Sequence, residues 1–165
     1  MKTYVIVDVE SNGPIPGDYS MTSLGAVALV GESLKEFYIN IKPISKKEDP
    51  ERKKFVNSEN AVEAKVAMKL FKEWLNSLNA QKLVFASDNN GYDWMFVCWY
   101  FWHFLNENPF GYYSENIQSI LRGFKKSMKS KVSDLREREL THNALEDSKD
   151  NAKVFLEMIN KFQES

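Results

Sequence analysis

Three short stretches carry residues that can do chemistry together. Asp8-Val9-Glu10 ends the first apolar run, and Asn89-Asn90-Gly91-Tyr92-Asp93 closes a second one in mid-chain. Thr141-His142-Asn143-Ala144-Leu145-Glu146-Asp147 sets a histidine five residues ahead of an aspartate, at the start of an amphipathic stretch. The four carboxylates Asp8, Glu10, Asp93 and Asp147, with the imidazole of His142, are the parts of a two-metal phosphodiesterase. Such a site needs hard oxygens for divalent cations and a base for water. Strand alternation puts Asp8 and Glu10 on one face and Val9 on the other. Like charges on one face repel and raise each other's pKa unless a cation compensates. Each stretch also has an ordinary explanation. The first two acids would be solvated where a strand ends. Asp93 would sit at the positive end of a helix dipole, and His142 with Asp147 would belong to a helix start.

The elements that must position these residues follow from periodicity. Residues 4–9 are β-rich and apolar, as in a buried central strand. Residues 11–19 are a dense Pro/Gly turn cluster whose backbone N–H groups, next to the acids, suit a sugar or phosphate. Residues 23–30 form a second strand, where Gly25-Ala26 signals close backbone packing. A turn at 31–33 leads to a third strand, 34–42, completing an antiparallel meander. Residues 43–57 form a connector with five basic and three acidic residues. It reads as a solvated loop, with phosphate contact as the lesser alternative. A helix over 59–78, capped by Ser58 or Asn57, carries Val62, Val66, Leu70, Trp74 and Leu78, with Phe71 and Leu75 beside them, as a core stripe. Residues 82–86 are a second buried strand. Asp93 opens an aromatic helix over 94–105, in which His103 reads as a core or interface residue. Residues 112–124 give a short extended piece and a helix capped by Ser114. The basic stretch 122–138 reads as exposed and mobile. It is either an arm for a polyanion or merely a solvated charge run. The last helix spans 143–162 on a stripe of Leu145, Ala152, Phe155, Leu156, Ile159 and Phe162, with Glu146 and Asp150 as surface acids.

Composition bounds the rest. A length of 165 residues, 43% of them hydrophobic and 27% charged, fits one globular domain over 1–165. Cys98 is the lone cysteine and cannot form an internal disulfide, which points to a reducing compartment, the cytoplasm. Asp8 and Glu10 interrupt any signal-peptide core. The apolar run 94–105 is too short to span a bilayer, so no membrane partner is expected. A net charge of −1 gives no global cationic field, so any basic footprint for nucleic acid must be local.

Taken together, Asp8-Val9-Glu10, Asn89-x-x-Tyr92-Asp93 and His142-Asn143-Ala144-Leu145-x-Asp147 resemble the DEDDh exonucleases, a group that includes ribonuclease T, oligoribonuclease and the proofreading subunits of DNA polymerases. The resemblance runs from Asp8 to about Phe155. It implies an α/β, ribonuclease H-like fold: a mixed five-stranded sheet, three antiparallel strands first, flanked by helices. It implies 3′-to-5′ hydrolysis of single-stranded or 3′-overhanging RNA or DNA from a free 3′ end, releasing nucleoside 5′-monophosphates. Asp8, Glu10 and Asp147 would ligate a first Mg²⁺ or Mn²⁺. Asp8 would bridge to a second ion held by Asp93 directly or through water, and His142 would be the general base. Ser11, Asn12, Gly13, Asn89 and Tyr92 fall at substrate contacts, and Met21 at an apolar wedge beneath the terminal base. The chain departs from the usual second motif, His-Asn-x-x-Phe-Asp, with Asp88 for the histidine and Tyr92 for the phenylalanine. Some members pair, so a homodimer is expected as an option, with residues 94–105 as interface or core. The competing expectation is a catalytically weak nucleic-acid-binding or regulatory module on the same fold.

Overall fold

The apolar run at the start of the chain forms β1 (Lys2–Ser11), the central strand of the computed structural model. The structure describes residues 2–52, 56, 58–139 and 141–163, with 162 and 163 by backbone alone. Gly31, at φ +58°, and Glu32 turn β2 (Met21–Val30) into β3 (Ser33–Asn40). Both pairings in this meander are antiparallel. β4 (Lys82–Ser87) lies parallel to β1 on its other side, and β5 (Ser114–Asn116) lies parallel to β4. The order β3-β2-β1-β4-β5 is the ribonuclease H-like mixed sheet that the resemblance implies.

Alternation along β1 divides two cores. Val5, Val7 and Val9 face α1 (Ala64–Ser77) and α2 (Asn90–Leu105), packing with Phe71, Phe85 and Phe101. Ile6 faces α3 (Ile117–Phe124) and α4 (Ala144–Gln163), with Leu121, Ala152 and Phe155. Asp8 and Glu10 continue the Ile6 row, so the period of two sends both acids to the α4 side.

Several helix expectations need correction. α1 begins at Ala64, not at residue 59, because Val62 still bridges Ile41 and exchanges backbone hydrogen bonds with Asn40 and Lys42. Its N-cap is Glu63, not Ser58, and Asn57 lies outside the described residues. Val66 and Leu70 are exposed, and the buried face is Ala67, Met68, Phe71 and Leu75. An i+4 row drifts about 40° per step on a 3.6-residue helix, so the row passes from the exposed Val66 and Leu70 to Trp74 and Leu78, which pack partly buried against the core. α2 begins four residues early, at Asn90, which puts Asp93 in its first turn. α3 is capped by Asn116, whose Oδ1 accepts the Ser119 N–H at 2.8 Å, while Ser114 opens β5. His103 is exposed and stacks on Trp99 at 4.2 Å rather than entering the core. Among the described residues, no helix is long and apolar enough to cross a membrane.

Candidate active site

The carboxyl ends of β1 and β4 are neighbours, and the first turns of α2 and α4 close over them. Asp8 and Glu10 come from the end of β1. Asp88 follows β4, Asp93 lies in the first turn of α2, and Asp147 lies in the first turn of α4. All four acids singled out in the sequence therefore meet. Oxygens of Asp8, Glu10 and Asp147 lie within 4.8 Å of one another, and so do oxygens of Asp8, Asp88 and Asp93. The two groups share Asp8.

Local structure fixes each side chain. Asn143 caps α4, its Oδ1 accepting from Leu145 N–H at 3.1 Å and Glu146 N–H at 3.2 Å. Asp147 reaches back past that cap. Its oxygens accept from Thr141 N–H (2.8 Å), Thr141 Oγ1 (3.0 Å) and His142 N–H (2.9 Å). This clasp holds His142 at φ +56°. The imidazole is half exposed, with Nδ1 3.8 Å from Glu10 Oε1. Asp93 Oδ1 accepts the Val9 N–H at 3.3 Å.

Packing this many acids together is unfavourable by itself. Burial first, then the charges of Asp93, Glu10, Asp88 and Asp147, hold the Asp8 carboxyl well above its ordinary range. Burial and then Asp88 do the same to Asp93, against the lowering influence of the nearby Ser87 hydroxyl and of the Val9 N–H. Glu10 is pushed up to about 7 by burial and Asp147, against the lowering effect of Arg52. Asp93 is only 2% exposed, and its Oδ2 is buried with no hydrogen-bond partner. Hard oxygens, mutual repulsion and an unsatisfied buried oxygen fit divalent cations.

The expected substrate contacts divide. The Ser11 Oγ donates to Gly13 O and hydrogen-bonds the Tyr92 hydroxyl. Tyr92 also takes a hydrogen bond from Arg52 Nη1 at 2.7 Å, with that guanidinium 5.0 Å from the ring centre. Gly13 packs so closely on Tyr19 that a β-carbon would fall 1.9 Å from its ring. Asn89 is exposed at the start of α2. Asn12 is fully buried, its Oδ1 accepting the Ser20 N–H at 2.7 Å. Met21 is also fully buried in the core between the sheet and α2, its N–H donating to the Tyr100 hydroxyl. It has no exposed surface for a base to stack on.

Sequence reasoning assigned no role to Asp88, Arg52 or Arg136. An acid directly after a buried parallel strand was the available signal for Asp88. The two arginines lie in basic stretches that the sequence leaves open between a solvated run and a polyanion contact. Arg136 is instead buried against Asp88 and Asn151, so the basic stretch is pinned there, and Val132 is buried in a short 3₁₀ turn, Val132–Leu135. Asp150 is buried as well, accepting from Arg138 Nε at 2.6 Å, which corrects its reading as a surface acid.

A ribonuclease H-like sheet with a ring of acids at the ends of its central strands defines a class of phosphodiester hydrolases. The chain belongs to the family of the 3′-5′ exoribonuclease Rv2179c-like domain, which matches residues 3–159, and is a 3′-5′ exonuclease acting on nucleic acid. It is 35% identical to the 3′-5′ DNA exonuclease Cap18 of Escherichia coli, over 98% of this chain and 93% of that protein. Its fold is similar to E. coli exonuclease I solved with a dA16 oligonucleotide, with a TM-score of 0.73 at 12% identity over 98% of this chain. Exonuclease I of Methylocaldum szegediense aligns over 74% of the chain with a TM-score of 0.60 at 15% identity. The chain spans 41% of the E. coli exonuclease I chain and 29% of the M. szegediense chain.

Proposed function

We propose that the chain removes nucleotides from a free 3′ end of single-stranded or 3′-overhanging nucleic acid, releasing nucleoside 5′-monophosphates, with two divalent cations, Mg²⁺ or Mn²⁺. The observation that carries this reading is the sharing of Asp8 between two carboxylate groups, with His142 on the open side. Asp8, Glu10 and Asp147 hold one cation, and Asp8 and Asp93 hold the other. Cations bound there acidify water and offset charge on the attacking and leaving oxygens. His142 takes the proton of the attacking water. The water oxygen bonds to phosphorus, and the 3′ oxygen of the preceding nucleotide leaves and is protonated from solvent. Asn89 and Tyr92 line the approach, the buried Ser11 and Gly13 hold the Tyr92 hydroxyl in place, and Arg52 offers a guanidinium to a strand phosphate.

The family's description says RNA and the E. coli relative's name says DNA, so the substrate is decided by measurement. A net charge of −1 supports short or single-stranded ends over strong unaided duplex binding. The lone Cys98 supports a cytoplasmic setting. A homodimer is proposed through the aromatic face of α2, where Trp102 is 43% exposed, and sedimentation of the wild type tests it.

The decisive experiment is hydrolysis of matched 5′-labelled single-stranded DNA and RNA in Mg²⁺, Mn²⁺ or EDTA, beside His142→Ala and Asp8→Ala. We expect a cation-dependent ladder shortening from the 3′ end, reduced at least ~10²-fold in both variants. Binding without cleavage would instead identify a regulatory module on the same fold.

A further inference from the structure

We infer that Asp88 is a ligand of the second cation, a carboxylate the family's usual motif does not supply, and that Arg136 and Asn151 hold it in position. The inference rests on the two-cation reading above. Asp88 stands where that motif has histidine, directly after β4, and one of its oxygens lies within 4.8 Å of oxygens of Asp8 and Asp93. Proximity of acids alone does not make a site. The independent observation is Asp93 Oδ2, buried and without a hydrogen-bond partner, on a side chain 2% exposed. Its other oxygen is already engaged by the Val9 N–H. A cation between Asp8, Asp88 and Asp93 is the partner that this oxygen lacks.

The surroundings of Asp88 suit a ligand held ready. Arg136 Nη2 donates to Asp88 Oδ2, and Asn151 Nδ2 donates to Asp88 Oδ1 at 3.0 Å. Arg136 also donates to Asn151 Oδ1, from Nη2 at 2.7 Å and Nε at 3.2 Å. The three side chains come from the end of β4, the segment ahead of α4, and α4 itself. Asn151 lies one helical turn beyond Asp147, so the same face of α4 serves both carboxylate groups. Each carboxylate oxygen has a second lone pair, so these hydrogen bonds and cation ligation coexist. Arg136 also settles the charge. Five acids around two divalent cations leave one negative charge, which this guanidinium, with a side chain 6% exposed, neutralises.

The competing account makes Asp88 only an anchor for the basic stretch. Removing it would then cost stability but leave cation binding intact. The test is Mn²⁺ titration followed by calorimetry and by the free-Mn²⁺ EPR signal, on wild type, Asp88→Asn, Asp93→Asn and Asp8→Asn. We expect Asp88→Asn and Asp93→Asn to lose at least about tenfold in affinity at the same one of two sites, and Asp8→Asn to weaken both. A wild-type titration curve for Asp88→Asn, beside a weakened Asp93→Asn, overturns the proposal and leaves the two-cation reading standing. A single wild-type site removes that reading. Asp88 then stands as a ligand if Asp88→Asn weakens the site and falls if it does not. Should Asp88→Asn fail to fold, anomalous scattering from wild-type crystals soaked in Mn²⁺ decides. A peak roughly 2.0–2.6 Å from an Asp88 oxygen supports the proposal, and any set of peaks without one overturns it.

Discussion

His142 adopts φ +56°, in the left-handed region where a β-carbon is unfavourable. Asp147 imposes that conformation by accepting the N–H groups of both Thr141 and His142. Backbone strain is thus held at the residue proposed as the base. Replacing His142 by Gly or by Ala removes the base in both cases, but only Gly relieves the backbone. The Gly variant should therefore be more stable than the Ala variant by about 1 kcal/mol, with both reduced at least ~10²-fold in activity. Chemical denaturation of the pair reads this, and equal stabilities would remove the strain argument. The acids make a second residue-scale prediction. Glu10 is raised from 4.5 to about 7 by burial and Asp147. The folded state therefore holds its proton where the unfolded chain has released it. In the cation-free protein this group's contribution to stability is fully present below pH ~4.5 and is lost as pH rises through ~7, about 3 kcal/mol in all. Asp8 and Asp93 are shifted the same way and add to the slope. In EDTA the protein should melt at a lower temperature at pH 8 than at pH 5.5, and Mg²⁺ or Mn²⁺ should close most of the gap at pH 8. A profile that is flat in EDTA would mean the carboxylates do not repel as packed.

At the scale of elements, the site depends on how closely α4 approaches the sheet. Gly25 on β2 pairs with Asp8 on β1, and the first turn of α4 lands on it. A β-carbon at Gly25 would lie 2.2 Å from Ala144 C and 2.3 Å from Ala144 O and Leu145 N. Ser148 Oγ then donates to Gly25 O at 3.0 Å, one residue beyond Asp147. The missing side chain on β2 is thus what lets Asp147 reach Asp8 and Glu10. Gly25→Ala should cost about 1–3 kcal/mol through overpacking. It should also lower kcat/KM about tenfold or more at temperatures where circular dichroism shows the variant fully folded, because the helix carries a ligand away from its partners. Normal turnover in a folded Gly25→Ala protein would show that α4 can shift without moving the site. The Gly25-Ala26 pair was legible in the sequence as a close approach, because a glycine inside a strand has few other uses. What approached it was not legible, since Ala144 lies more than a hundred residues downstream.

Across the whole molecule, sequence separation decides what a single chain discloses. β1, its two acids and the helix start behind His142 are local patterns readable as such, whereas the clasp of Asp147 on Thr141 and His142 appears only in the structure. The buried arginine is different. A stretch with few apolar residues reads as solvated, yet Arg136 is buried because Asp88, 48 positions away, supplies the counter-charge. Arg136 and the exposed Arg138 are tied to acids, and the further exposed basic residues of that stretch are Lys125, Lys126, Lys129 and Lys131. They are either the local footprint for a polyanion that the net charge of −1 requires, or a solvated run. Salt dependence separates the two. Each single-strand phosphate neutralised contributes about −0.7 to the slope of log affinity against log salt. Two or three such contacts should give log kcat/KM a slope of about −1.5 to −2 for a single-stranded substrate. Replacing Lys125, Lys126 and Lys129 together by Ala should make that slope shallower by roughly 1, while kcat at saturating substrate stays near wild type, because none of the three touches the carboxylates. An unchanged slope would return these lysines to the solvated surface and leave Arg52, which lies over Tyr92, as the phosphate contact.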